Sequence, residues 1–412
     1  MLKSFSIISY KYLNSYKLPF PCWKRIFVSF IESAAAGIVF FLSVYFSSVL
    51  GIQIYAVGMI LSSYGAGTII GGILGGILSD KFSENIISIA GLGLMSLSIF
   101  LIILIKSMSF LVLDLFLLGL SSYLFVTANT IWVLNFCKKN THAKQQSLSV
   151  LYVSSNLGLG FSALIIGFSS ARIFHYIFLI ACLLLLLAAY YLYRNRDEAP
   201  QYQFNEKNID VVNDVSTKKK HAGWIVLGCL FLIGLVIAQL NTTYPIYIHH
   251  NFKWLGMMGI GILFSLNAAL IVLLQAPITD LLQSFNKLLI VGLGSFFMGT
   301  SMLILNFPSS YIVVVVACVA YTFGEILFFS TAQLVCYESG IDKKKGRALG
   351  AFRTVYALTL VIGPTFGGVV YHKYGPHFLW GLSGLLGLIC LMLCLVSLFR
   401  INTNTASNKW SI

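Results

Sequence analysis

The sequence predicts an all-α integral membrane protein, with twelve transmembrane helices in two six-helix halves separated by a polar linker. Three observations predict it. Of the 412 residues only 10% are charged and 58% are hydrophobic, so the chain cannot cover a water-facing surface and most of it faces lipid. The apolar residues fall into runs long enough, at about 1.5 Å per residue, to cross a hydrocarbon core of roughly 30 Å. The third observation is a repeated event. GGILGGILSDKFSEN (Gly71–Asn85) ends one apolar run at Asp80 and Lys81, and APITDLLQSFNK (Ala276–Lys287) ends another at Asp280, about 200 residues later. Two such breaks at matching places point to a duplicated membrane unit.

Taken in order, residues 1–25 form a basic, aromatic cytoplasmic segment with Lys3, Lys11, Lys17, Lys24 and Arg25, either on the membrane surface or as a loose tail. The N-terminal six-helix bundle follows over 26–193, with helices expected at 26–50, 54–78, 86–105, 110–136, 148–170 and 175–193. The first run is too long for the apolar part of a signal peptide. In the second, Gly71 with Gly75 and Gly72 with Gly76 make two overlapping G-x-x-x-G pairs, a spacing that lets another helix approach closely. Residues 194–221 lack an apolar period and read as a cytoplasmic linker. The C-terminal bundle spans 222–399, with helices at 222–249, 255–279, 287–306, 310–337, 347–371 and 377–399, and 400–412 is a cytoplasmic tail.

Charge sets the orientation. With both termini cytoplasmic, the inside segments carry 22 lysines and arginines and the outside loops four, which the positive-inside rule favours. The net charge of +14 then reflects phosphate headgroups and topology. Nucleic acid is not implied, because the basic residues lie between apolar runs and form no polar face. Trp23, Trp132, Trp224, Trp254 and Trp380 fall near helix ends, where indole favours the interface. The eight cysteines show no C-x-x-C pair or regular spacing, so neither a disulfide framework nor a metal site is expected.

No phosphate-binding loop, H-E-x-x-H or G-x-S-x-G occurs, so the expectation is no enzyme, no cofactor and no metal; uphill movement would need an ion gradient. Such coupling needs an ionisable group at membrane depth, at a cost of roughly 2.5–3.5 kcal/mol each. Glu325 lies near the middle of the tenth helix, Glu32 in the cytoplasmic half of the first, and Arg353 at similar depth in the eleventh. Glu325 and Glu32 are the proton-coupling candidates, with permanent structural pairing as the alternative; Arg353 is a counter-ion or snorkels to the interface. Asp114, close to the outer end of the fourth helix, is expected to reach outer water. The substrate-cavity candidates are Gln239, Asn241, Thr243 and Tyr247 in the seventh helix, Asn267 and Gln275 in the eighth, Asn129 in the fourth and Tyr321 in the tenth. For each, hydrogen bonding or packing between helices is the competing role.

GGILSDKF (Gly75–Phe82) resembles the loop motif G-x-x-x-D-[RK]-x-G of the major facilitator superfamily: Gly76, Asp80 and Lys81 match, while Ser83, Glu84 and Asn85 replace the usual glycine and basic pair. VIGPTFGG (Val361–Gly368), with Gly363, Pro364 and Gly367, resembles the glycine-proline helix of that family's bacterial drug:proton antiporters, and Asn156–Gly167 is similar but weaker. The arginine that many antiporters carry in the fourth helix has no match. The resemblance covers essentially the whole chain. It implies two pseudo-symmetric bundles, a central cavity lined by the first, fourth, seventh and tenth helices, and alternating access. Gly363, Pro364 and Gly367 would pack helices, and Gly76, Lys81 and the loop aspartates Asp80 and Asp280 would latch the cytoplasmic seam.

The function expected on this basis is secondary active transport, namely proton-coupled efflux of a small, partly apolar organic compound. The alternatives are ion-coupled uptake of a metabolite or siderophore-type chelate and, in a different class, a non-transporting sensor or scaffold. The expected partners are the lipid bilayer, a small-molecule substrate and protons or another coupling ion. A monomeric, multi-pass protein of the inner (plasma) membrane is expected.

Overall fold

The computed structural model describes residues 18, 20–105, 107–136, 141–169, 174–195, 217–282, 284–307, 310–339 and 345–407. Most of the expected linker (196–216) and most of the first 25 residues lie outside these, while 217–221 of the expected linker already belong to the seventh helix.

Helix is the only regular structure among the described residues. Apolar backbone at membrane depth has no water to bond, so each segment satisfies its own N–H and C=O groups. In chain order the helices are α1 (Phe20–Val49), α2 (Ile54–Lys81), α3 (Glu84–Leu104), α4 (Met108–Phe136), α5 (Thr141–Gly167) and α6 (Phe174–Arg194). The seventh, α7, is in three pieces: Thr217–Ile237, a 3₁₀ turn at Ala238–Asn241 and a short helix Thr243–Asn251. Then come α8 (Gly256–Leu281), α9 (Lys287–Ile304) and α10 (Tyr311–Ser339). The run Lys345–Ser407 breaks at Gly375, whose φ of 82° suits only a residue without a Cβ. Pro376 restarts the helix, so the run is α11 (345–374) and α12 (376–407). These are the twelve spans that the apolar runs predict.

Three departures have local causes. The first helix starts at Phe20, six residues ahead of expectation, because Cys22, Arg25 and Ile26 are buried in the bundle instead of lying on its surface. That helix is also irregular, with a turn at Gly37–Ile38 and a π-helical end at Tyr45–Val49. The seventh helix, expected to be continuous, is interrupted just ahead of Pro245, which lacks an N–H and sits in the first turn of the resumed helix. The starts of α3 and α9, after the two aspartate breaks, share a device. Ser83 accepts from the Asn85 N–H at 3.3 Å and Asn286 from the Leu288 N–H at 3.0 Å, satisfying amides that the first turn leaves open.

The chain divides into two compact units, Met1–Tyr45, Ser63–Phe204 and Trp254–Val272 in unit 1, and Phe46–Ser62, Asn205–Lys253 and Leu273–Ile412 in unit 2. Small residues set the packing inside each. In unit 1, α2 and α4 touch backbone to backbone: a Cβ on Gly67 would lie 2.1 Å from the Phe116 carbonyl, one on Gly71 2.2 Å from that of Leu120, and one on Gly119 2.1 Å from that of Tyr64. Gly75 continues this face against Thr127. Gly72 and Gly76 do not: around Gly76 nothing lies within 4 Å. One of the two overlapping glycine pairs therefore packs a helix and the other is open, and Gly76 itself sits within α2 instead of in a loop. Also in unit 1, Ser96 of α3 and Cys182 of α6 exchange hydrogen bonds to each other's carbonyl oxygens at 3.1 and 3.2 Å.

In unit 2, Gly294 of α9 faces Gly324 of α10, and Gly299 of α9 faces Gly387 of α12. Cys229 of α7 lies 3.8 Å, sulfur to sulfur, from Cys394 of α12. No disulfide joins the seven described cysteines, all of them buried. Trp132 and Trp380, expected at the interface, are packed inside at 4% and 0% exposure, whereas Trp224 and Trp254 are 61% and 77% exposed.

Candidate functional site

Polar groups inside an apolar bundle are the informative ones, because each must find a partner. Unit 1 holds two such sets on one face of α1. Arg25 and Glu32 are two turns apart, about 10.5 Å along the axis, and both side chains are buried, at 4% and 2% exposure. α4 answers with its own pair at the same spacing in the opposite direction, Asn129 and Ser122.

At the first set, the Arg25 guanidinium donates from Nη2 to Oδ1 of Asn85 at the start of α3 and lies 4.5 Å from the centre of the Trp132 ring. The Asn129 amide donates to the Arg25 carbonyl at 3.4 Å, and Asn85 donates to the Leu192 carbonyl of α6 at 3.5 Å. A cation over an indole face is a favourable buried arrangement, and here it ties α1, α3, α4 and α6 together. At the second set, Glu32 Oε1 accepts from Ser122 Oγ at 2.7 Å and Oε2 accepts from Ser33 Oγ at 3.2 Å.

Unit 2 has its own polar knot at the break in α7. Gln239, 1% exposed, donates from Nε2 to the carbonyls of Leu235 at 2.8 Å and of Gly363 in α11 at 3.0 Å. Its Oε1 accepts from Thr242 at 3.2 Å and Thr243 at 2.9 Å. Both donors of the amide are thereby used and its oxygen is bonded by Thr243, while the one Thr242 proton is shared with the Ala238 carbonyl at 3.0 Å. The amide fits because α11 is glycine there: a Cβ on Gly367 would lie 1.7 Å from Gln239 Oε1, and one on Gly363 2.4 Å from Ala238 Cβ. Pro364, the next residue of that helix, presents its carbonyl 2.4 Å from where a Cβ on Gly58 of α2 would be.

The predicted site residues separate on this geometry. Glu32 is enclosed by hydroxyls, and Glu325 is half-buried on α10, on the face that carries Cys318, Tyr321 and Thr322. Arg353 is exposed. Asp114 does not reach outer water: it is 3% exposed and accepts from Ser98 of α3 at 2.9 Å, since the α3–α4 hairpin closes over it. Gln239 and Thr243 are consumed by the knot, and Tyr247 donates to the Leu305 carbonyl at 2.6 Å with its ring edge-on to Trp380; these three hold α7 in place instead of presenting free groups to a cavity. Asn129 serves the Arg25 set. Asn241 and Asn267 are half-buried, and Gln275 donates to Ser330 of α10 at 3.1 Å. Tyr321 is 3% exposed. Lys81 is exposed at the end of α2, and Asp80 and Asp280 lie in the last turns of α2 and α8, with their side chains outside the described set.

Sequence reasoning missed Ser122, Asn85 and the burial of Arg25. The matched seven-residue spacing of Arg25 and Glu32 on α1 was the available signal, since residues so spaced share a helix face.

Comparison with known proteins follows the same outline. The family profile described as Major Facilitator Superfamily matches residues 26–359. Two Bacillus subtilis (strain 168) proteins are similar, each described as an uncharacterized MFS-type transporter. YttB is 23% identical over 384 residues, 89% of this chain and 92% of its own. YqjV is 25% identical over 369 residues, 84% and 87% respectively. Among solved structures, the peptide transporter POT in complex with sulfate superposes with a TM-score of 0.74 at 16% identity, covering 94% of this chain and 95% of its own. A mutant of the nucleoside transporter NupG does so at 0.75 and 13%, covering 91% and 99%. At such identities these two likenesses concern the fold.

Proposed function

The chain belongs to the Major Facilitator Superfamily, and from that premise we propose that it exports a small, partly apolar organic compound in exchange for protons. That it is a multi-pass membrane transporter of small molecules, and not an enzyme, follows from the family. The proposal adds direction, coupling ion and site.

The observation that carries it is Glu32. An ionisable side chain buried at membrane depth is costly and calls for a functional account, and Glu32 is surrounded by hydroxyls that can bond it in either protonation state. In alternating access such a group meets a different environment on each side, which is what lets a carboxylate load and release a proton. Glu325, the half-buried carboxylate of unit 2, is the second member of the proposed coupling set. Asp80 and Asp280 are proposed as latches that bias one arrangement over another. The protein is proposed to work as a monomer in the plasma membrane with both termini cytoplasmic, its two bundles at 26–193 and 222–399.

The test is a substrate panel on proteoliposomes with an imposed pH gradient. Accumulation of an apolar compound against its gradient, with proton movement in the opposite direction, is the expected result. Proton-coupled movement in the same direction as the substrate would replace export by uptake. Transport of a panel compound that is indifferent to the pH gradient would remove proton coupling.

A further inference from the structure

One buried acid has no part in the proposed coupling set: Asp114 of α4. It lies six residues into that helix, about 9 Å along the axis from Met108, and is 3% exposed. Its Oδ1 accepts from Ser98 Oγ of α3 at 2.9 Å, and Ser98 is fully enclosed. The other oxygen, Oδ2, is buried and has no hydrogen-bond partner among the described residues.

An ionised carboxylate taken out of water needs several donors or a cation. Here there is one donor, and it is divided. The same Ser98 hydroxyl stands 3.0 Å from the backbone carbonyl oxygen of Asp114, and a single proton cannot serve both oxygens fully. That carbonyl alone would satisfy Ser98, so the needs of Ser98 do not account for an acid at this position. A proton on Oδ2 does account for the arrangement, because it removes the charge and leaves Oδ1 as the acceptor.

We infer that Asp114 is a proton-binding site of unit 1, occupied while α3 and α4 are closed together, with Ser98 as its positioning residue. When the two helices part at Ser98, water reaches the carboxyl, the Oδ2–H bond breaks and the proton passes to a water oxygen. Loading is the reverse, and no other bond changes.

The titratable groups of the surrounding elements are engaged elsewhere. On α4 itself there is Tyr123, nine residues further along. On α3, Glu84 is 14 residues from Ser98 and accepts from Asn135 at 2.8 Å. Cys182 of α6 bonds the Ser96 carbonyl of α3, and Tyr152 of α5 is exposed. Tyr64 of α2 meets α4 at Gly119 through its backbone carbonyl. Glu32 of α1 is held by Ser122, which lies eight residues, or about 12 Å, along α4 from Asp114. The two acids are thus separate sites, and the inference stands whether or not Glu32 couples transport.

Infrared spectroscopy of the purified full-length protein tests this without substrate. At neutral pH the protonated-carboxyl C=O region should hold a band that Asp114→Asn removes and Glu32→Gln leaves in place. Ser98→Ala should keep that band and move it to higher wavenumber, because a hydrogen bond to the C=O oxygen is lost. Transfer into D2O should shift the wild-type band as the bound proton is replaced. Ser98→Ala should hasten that replacement about fivefold, the weight of one hydrogen bond holding the helices closed. If Asp114→Asn removes no such band, no proton is bound and the inference falls. It falls equally if the band never responds to D2O in the folded protein, since the proton is then a fixed structural one. A band unmoved by Ser98→Ala overturns the positioning role of Ser98. Should Asp114→Asn fail to fold, the shift in Ser98→Ala identifies the band and its response to D2O decides the matter.

Discussion

Ser122 of α4 and Glu32 of α1 are joined by a 2.7 Å hydrogen bond between two buried side chains. An amide oxygen can accept that bond as a carboxylate oxygen does, so Glu32→Gln should fold normally, with a thermal midpoint within a few degrees of wild type. Uphill accumulation should nevertheless fall by roughly tenfold or more, while downhill exchange persists, because only the exchangeable proton has been removed. Unchanged accumulation with wild-type proton stoichiometry would clear Glu32 of the coupling role.

Glu325 offers the parallel case in unit 2. Glu325→Gln should lower the number of protons moved per substrate without abolishing binding, measured by pairing substrate flux with a pH-sensitive dye inside the vesicle. A variant that keeps full stoichiometry leaves Glu32 as the sole carboxylate of the proposed set.

The glycines of α2 give a matched pair. Gly71→Ala would push a methyl group into the Leu120 carbonyl, backbone that cannot step aside, whereas Gly76→Ala meets nothing within 4 Å. Overpacking of the first kind costs about 1–3 kcal/mol. Thermal unfolding in detergent should therefore show a clear loss for Gly71→Ala and almost none for Gly76→Ala; equal effects would contradict the α2–α4 contact.

At the break in α7, Gly367→Ala would collide with Gln239 Oε1. That atom is the end of a side chain, but hydrogen bonds on both the nitrogen and the oxygen of its amide hold it. The single variant should lose about 1–3 kcal/mol. Adding Gln239→Ala should recover part of the loss, giving a coupling energy that two independent sites would not show.

The proposed orientation follows from the lysine and arginine asymmetry. Reporter fusions after Asn195 and after Ile412 should both score cytoplasmic. An external score at Asn195 would overturn the assignment of six spans before the linker.

Much of the architecture was legible because a membrane helix must be long and apolar whatever surrounds it. Its interior was less so, for reasons visible at particular residues. Arg25 reads as part of a basic tail because its partners, Asn85 and Trp132, come from helices 60 or more positions away in sequence. Gly71 with Gly75 and Gly72 with Gly76 are indistinguishable by spacing; only the neighbour decides which face packs. The polar residues around Gln239 announce something at the start of the Pro245 segment, but whether they face a substrate or each other depends on α11 having glycine opposite them. Ser122 is one hydroxyl among many in apolar runs, and nothing local separates it from a serine that bonds its own helix.

The buried cysteines have a practical consequence for observing this protein at work. Seven of its eight thiols are enclosed by packed helices, and the eighth, Cys137, lies outside the described residues. A maleimide probe applied to the folded protein should thus find a nearly silent background. A single replacement, Cys137→Ala, then suffices before reporter cysteines are placed at chosen helix ends, and the native thiols that pack α7 against α12 can be left untouched.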